Sequence, residues 1–150
     1  MSDEYKKGLR EVEVFMLFLK ASMIDEDQSR VQKRSPPEPD ILCHFRNGET
    51  VAFELVELCD PNLAKAFADP LNPANQYIRT SDPSGSIFQK KIGRIYETPY
   101  PIELLCYADG RIATPTDVII PTAKRELQGC SHIFRRAWLL RRASIHLLWE

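Results

Sequence analysis

The stretch from Asp40 to Leu58, DILCHFRNGETVAFELVEL, limits the fold more than any other part of the chain. Two runs rich in aliphatic and aromatic residues, Ile41 to Phe45 and Val51 to Leu58, flank the turn residues Asn47-Gly48. That pattern predicts an antiparallel hairpin. In the second run Val51, Phe53 and Leu55 point one way and Ala52, Glu54, Val56 and Leu58 the other. Both faces are then largely apolar, as in a central strand. Glu54 breaks the pattern. A carboxylate in such a sheet loses hydration and requires a cation, a donor network or a metal.

The hairpin register decides what stands opposite Glu54, and two registers are open. With a two-residue Asn47-Gly48 turn, Arg46 pairs with Glu49, Asp40 stands across from Leu55, and the two acids face opposite sides. With a three-residue Arg46-Asn47-Gly48 loop and Gly48 in the left-handed region, Phe45 pairs with Glu49 and Asp40 stands directly across from Glu54. Glycine suits that third position. Directly opposed residues have Cβ atoms about 5 Å apart, within reach of one shared divalent ion.

The remaining chain reads as an α/β fold. Leu9, Val12, Phe15, Met16 and Leu19 recur at helical spacing between Glu4 and Ala21. Asp25 to Pro39 is polar, then basic, then proline-rich, which predicts an exposed connection. A long irregular excursion follows from Asp60 to Gly85, with one short helix around Leu63 to Ala68. Ser86 caps a helix running to about Glu97, with Ile87, Phe88, Ile92 and Ile95 on its apolar arc. Pro101 to Ala108 is a third strand, closed by Asp109-Gly110. A helix occupies the second part of the segment Thr116 to Cys130, with Pro121 in its first turn. The tail, FRRAWLLRRASIHLLWE, reads as two strands around Arg141 to Ala143. Helix, strand, strand, helix, strand, helix, strand makes a mixed sheet flanked by helices.

The 150 residues, 43% hydrophobic and 27% charged, suit one domain over 1–150 with its own core. With no apolar run of about 18 residues and an acidic start, the reading predicts no membrane partner and a cytoplasmic protein. Cys43, Cys59, Cys106 and Cys130 form no CxxC pair and read as small buried thiols. Zinc on Cys43, His44, Cys59 and Cys106 is disfavoured, since adjacent strand residues face opposite sides. A net charge of −1 neither demands nor excludes a nucleic-acid partner.

Pro39-Asp40, a turn, and then an apolar strand carrying Glu54 resemble the motif of the PD-(D/E)XK nuclease superfamily, and the element order is similar over most of the chain. The resemblance implies a restriction-endonuclease-like αββαβ core and a metal-dependent endonuclease hydrolysing phosphodiester bonds. It implies Mg²⁺ or Mn²⁺ on Asp40, Glu54 and the carbonyl of Leu55, with nucleic acid, DNA ahead of RNA, as partner and a homodimer as the form. The family's lysine, two positions after the glutamate, is Val56 here. Some members carry it on the following helix, where Lys91 falls inside the apolar arc and Lys90 outside it, with Gln89 nearby. Glu11 resembles the first-helix glutamate that the superfamily often sets beside its metal. Arg30, Lys33 and Arg34, just before the motif, and Arg135, Arg136, Arg141 and Arg142 in the tail are the candidate phosphate contacts. Two other classes stay open: an inactive nuclease-like fold that binds nucleic acid or protein, and an interaction protein in which Glu54 pairs with Lys91.

Overall fold

The computed structural model describes residues 2–24 and 29–150. Helix α1 (Asp3–Ala21) starts where Ser2 accepts a hydrogen bond from the Tyr5 N–H, with Asp3 and Glu4 in its first turn and Lys20 in its last. Each placement complements the helix end it occupies. Strands β1 (Arg30–Lys33), β2 (Ile41–His44) and β3 (Thr50–Glu57) follow, then α2 (Pro61–Ala68), a 3₁₀ turn (Pro73–Tyr77), α3 (Ser84–Ile92), β4 (Ile102–Ala108), α4 (Thr116–Gln128), β5 (Phe134–Arg141) and β6 (Ser144–Trp149). The six strands form one mixed open sheet in chain order β1-β2-β3-β4-β5-β6.

The hairpin adopts the three-residue loop. Gly48 sits at φ +89°, the Phe45 N–H donates to the Glu49 carbonyl at 2.8 Å, and the Gly48 N–H to the Phe45 carbonyl at 3.0 Å. Ile41 pairs with Phe53, Cys43 with Val51 and His44 with Thr50. The alternative two-residue turn is thereby excluded.

By the contacts along the backbone the chain divides into two compact units. The first holds residues 1–56, 95–107 and 133–150, and so α1 and the sheet apart from the last residues of β3 and β4. Its core packs Phe15, Phe18, Phe53, Leu105 and Leu140 together, with the Phe15 and Phe53 ring centroids 4.7 Å apart. The second unit holds residues 57–94 and 108–132. There Asp60 caps α2: Oδ1 accepts from the Asn62 N–H and Oδ2 from the Ser81 N–H, both at 2.9 Å. Those backbone donors, Ser81 first, hold its carboxyl below the usual carboxylate range.

Four expectations need correction. Arg30 to Lys33, expected within an exposed connection, is an edge strand paired antiparallel with β2. Only Val31 is apolar in RVQK, so no alternation marks it. The third helix runs Ser84–Ile92, with Pro83 at its N-cap and no side-chain cap. Ser86 lies inside it, its Oγ donating to the Pro83 carbonyl, and Ile95 lies beyond it, 89% exposed. Helix α4 begins at Thr116, so Pro121 stands inside the helix rather than in its first turn. The Cys130 thiol is exposed, while Cys43 and Cys106 are buried, and no disulfide joins any of the four.

The tail folds as expected. Strands β5 and β6 pair antiparallel, with Arg141 opposite Ser144; Arg142 takes a positive φ of 55° in the two-residue turn between them.

Candidate active site

The site is built from the ends of β1, β2 and β3, the middle of α1 and the segment before β4. Continued by one residue, the hairpin register sets Asp40 across from Glu54, and the two interlock. The Asp40 N–H donates to Glu54 Oε1 at 3.3 Å, and the Leu55 N–H donates to Asp40 Oδ2 at 2.9 Å. Glu54 is 4% exposed. Its second oxygen, Oε2, accepts from the Tyr96 hydroxyl at 2.7 Å. The sequence pointed to the pair through its Pro-Asp turn and the carboxylate mid-strand. Nothing in the sequence singled out Tyr96.

The amine placed against these acids is Lys33. It closes β1 opposite Ile41 and runs back along α1, where a Cβ at Gly8 would come within 3.4 Å of its Cε. Glycine at that position lets the lysine stem pass close to the helix. Lys33 Nζ donates to the carbonyls of Arg34 at 2.8 Å and Asp40 at 3.1 Å. It also stands 3.6 Å from Asp40 Oδ1 and 4.0 Å from Glu11 Oε1. The sequence had marked Lys33 as a phosphate contact; its neighbours make it a counter-charge to the acids.

Glu11 is only 3% exposed, which separates it from Glu13, an exposed residue paired with Arg10 at 3.6 Å. Glu11, Lys33 and Asp40 line one groove of about 460 Å³ together with Tyr5, Gly8 and Arg34.

The other candidates lie as follows. Arg30 is exposed, across from His44. Arg34 makes a forked contact with Glu38, Nη2 to Oε2 at 2.9 Å and Nε to the same oxygen at 3.1 Å. Gln89 and Lys91 belong to the second unit. Gln89 is exposed and donates to Glu126 at 3.4 Å; Lys91 is half-buried in the last turn of α3, beside an exposed Lys90. Glu57 pairs with Arg111, consistent with its position on the opposite strand face from Glu54. Arg135 and Arg136 both reach Glu103, a second buried acid, the second residue of β4.

Among the described residues no group of three or more His, Cys, Asp or Glu side chains is set to cage a metal ion. Magnesium does not require such a cage: it commonly takes one or two carboxylates and completes its shell with water and substrate phosphate. Asp40 and Glu54 supply hard carboxylate oxygens. Glu54 accepts one named hydrogen bond on each oxygen and Asp40 one on Oδ2, and a carboxylate has about four acceptor positions in all. The donor set therefore fits a hard divalent ion.

No protein-family model matches the chain, and no curated protein and no solved structure matches it either. Among the described residues no helix is long and apolar enough to cross a membrane.

Proposed function

We propose that this chain is a metal-dependent nuclease of the PD-(D/E)XK type that hydrolyses phosphodiester bonds in nucleic acid, DNA ahead of RNA. One observation carries the reading: two acids on neighbouring strands stand opposite each other in exchange contact, with an ammonium at 3.6 Å from one of them. The order α1, β2, β3, α3, β4 supports assigning the restriction-endonuclease-like core.

Mg²⁺ or Mn²⁺ held by Asp40, Glu54 and the Leu55 carbonyl would supply a water of lowered pKa and neutralise charge on the scissile phosphate. The chain's own groups do the rest. Tyr96 fixes the Glu54 carboxylate through a charge-assisted hydrogen bond. Lys33 offsets the charge of Glu11 and Asp40 and offers a cation to a phosphate entering the groove. Val56 leaves the usual lysine position apolar, and Lys33 is the amine that stands beside Asp40; Lys91, the candidate from the sequence, belongs to the second unit.

The test is a cleavage assay on single- and double-stranded DNA and RNA with Mg²⁺ or Mn²⁺. It compares the wild type with Asp40→Asn, Glu54→Gln, Lys33→Met and Lys91→Ala. Metal-dependent cleavage lost in Asp40→Asn and Glu54→Gln is the expected result, and the two lysine variants identify the working amine. Cleavage absent from the wild type, or unchanged in Glu54→Gln, overturns the reading.

A second reading has its own support, because Asp40 and Glu54 are already held by protein donors. It makes the fold an inactive nuclease-like module that binds nucleic acid or protein. Retained nucleic-acid binding in the two acid variants, with no Mn²⁺ uptake by calorimetry in the wild type, would select it.

A further inference from the structure

A second cavity, of about 380 Å³, lies in the first unit, away from the acid pair along α1. It is bounded by the C-terminal turn of α1, the β2–β3 hairpin and strands β5 and β6, a size ordinary for a small-molecule site. Four aromatic rings line it: Phe18, Phe45, Phe53 and Trp138. Phe18 and Trp138 meet at 60° with centroids 5.6 Å apart, and Phe45 and Phe53 at 71° and 6.4 Å. Phe18 and Phe53 belong to the core, 3% and 2% exposed, and form the floor; the rings open to a planar guest are the half-buried Phe45 and Trp138.

The charges on the wall cancel. Glu103, 3% exposed, accepts the Trp138 indole N–H at 2.7 Å on Oε1 and Arg135 on Oε2, with Nη2 at 2.6 Å. Arg135 also reaches Glu49 at 2.7 Å, and Arg136 lies 3.7 Å from Glu103. Two arginines and two glutamates therefore neutralise each other, and an ionic guest would enter without a counter-charge. One wall group lacks a partner: the Ser22 hydroxyl oxygen is buried with no hydrogen bond among the described residues. A buried hydroxyl left unpaired is costly, and it can donate or accept.

We propose that this cavity binds a neutral, planar heteroaromatic ring carrying both donors and acceptors at its edge, the chemistry of a nucleobase. The stacking faces select the ring, the cancelled charges exclude an anion from the interior, and Ser22 Oγ bonds the guest's edge. The inference goes beyond the hydrolytic reading and stands whether or not the acid pair cleaves anything. The base arrives either as a free nucleoside or as part of a strand.

Calorimetric titration of the full chain with adenosine, guanosine, cytidine and uridine, with ribose 5-phosphate as control, tests it. The expected result is saturable one-to-one binding of at least one nucleoside with Kd below about 1 mM and none of the control. Phe45, half-buried at the rim, is the safest aromatic to remove, and Phe45→Ala should weaken binding about tenfold, the loss of one base–aromatic stack. Ser22→Ala should weaken it severalfold, and because it removes one unpaired oxygen at the end of α1 and leaves the aromatic wall intact, it guards against misfolding of the first variant. Competition by a short single-stranded oligonucleotide assigns the base to a strand, and lack of competition assigns it to a free nucleoside; both support the shared chemistry. No saturation with any nucleoside, equal binding of ribose 5-phosphate, or unchanged affinity in both variants overturns it.

Discussion

Replacing Lys33 by methionine keeps the length of the side chain and removes its charge, leaving Glu11 and Asp40 without the cation beside them. Two unit charges at 3.6 to 4.0 Å attract by about 4–5 kcal/mol at an effective dielectric of about 20, and by about 1 kcal/mol in bulk water. The Lys33 side chain is 33% exposed and that of Glu11 only 4%, so each pair falls between those limits. Loss of the two hydrogen bonds to the Arg34 and Asp40 carbonyls adds about 1 kcal/mol each, and the desolvation that the ammonium no longer suffers offsets part of the sum. A net loss of about 3 kcal/mol at neutral pH is expected in urea or guanidinium unfolding. Glu11→Gln placed on the Lys33→Met background should recover about 1–2 kcal/mol, because the buried charge is then gone. A loss below about 0.5 kcal/mol for Lys33→Met, or strict additivity of the two substitutions, would refute the picture of an amine balancing buried acids.

Gly48→Ala should destabilise by about 1–2 kcal/mol, since φ is +89° there while the space beyond it is open; thermal unfolding measures this, and no change would mean the loop takes another form. Thiol labelling with a disulfide reagent should modify the exposed Cys130 first. Cys43 should resist until unfolding, because burial both shields its thiol and pushes its pKa up to about 12; rapid labelling of Cys43 in the native state would contradict its place in the core.

The hairpin was legible because its information is local. Asn47-Gly48 offered two loop lengths, both with glycine at positive φ, and the structure takes the one that sets Asp40 opposite Glu54. The direction of Glu11 was legible, since at 100° per residue it projects with Phe15 and Phe18 and Glu13 does not; its burial was decided by packing. Strand β1 was not legible, since a four-residue polar edge strand is made by its partner rather than by its own pattern. The limits of α3 and α4 were missed where the expected caps, Ser86 and Pro121, turned out to be interior residues.

What the sequence determined by itself is the alternation and turn chemistry of residues 40–58, with two registers open, and the amphipathic face of α1. What only the tertiary structure decided is which partners the acids meet: Lys33 from an edge strand, Tyr96 from a segment 42 residues beyond Glu54, and Arg135 with Trp138 around Glu103. The reason is physical. Periodicity records the direction of a side chain relative to its own backbone, whereas the partner of a buried charge is supplied by whichever distant segment the packing of the core brings beside it.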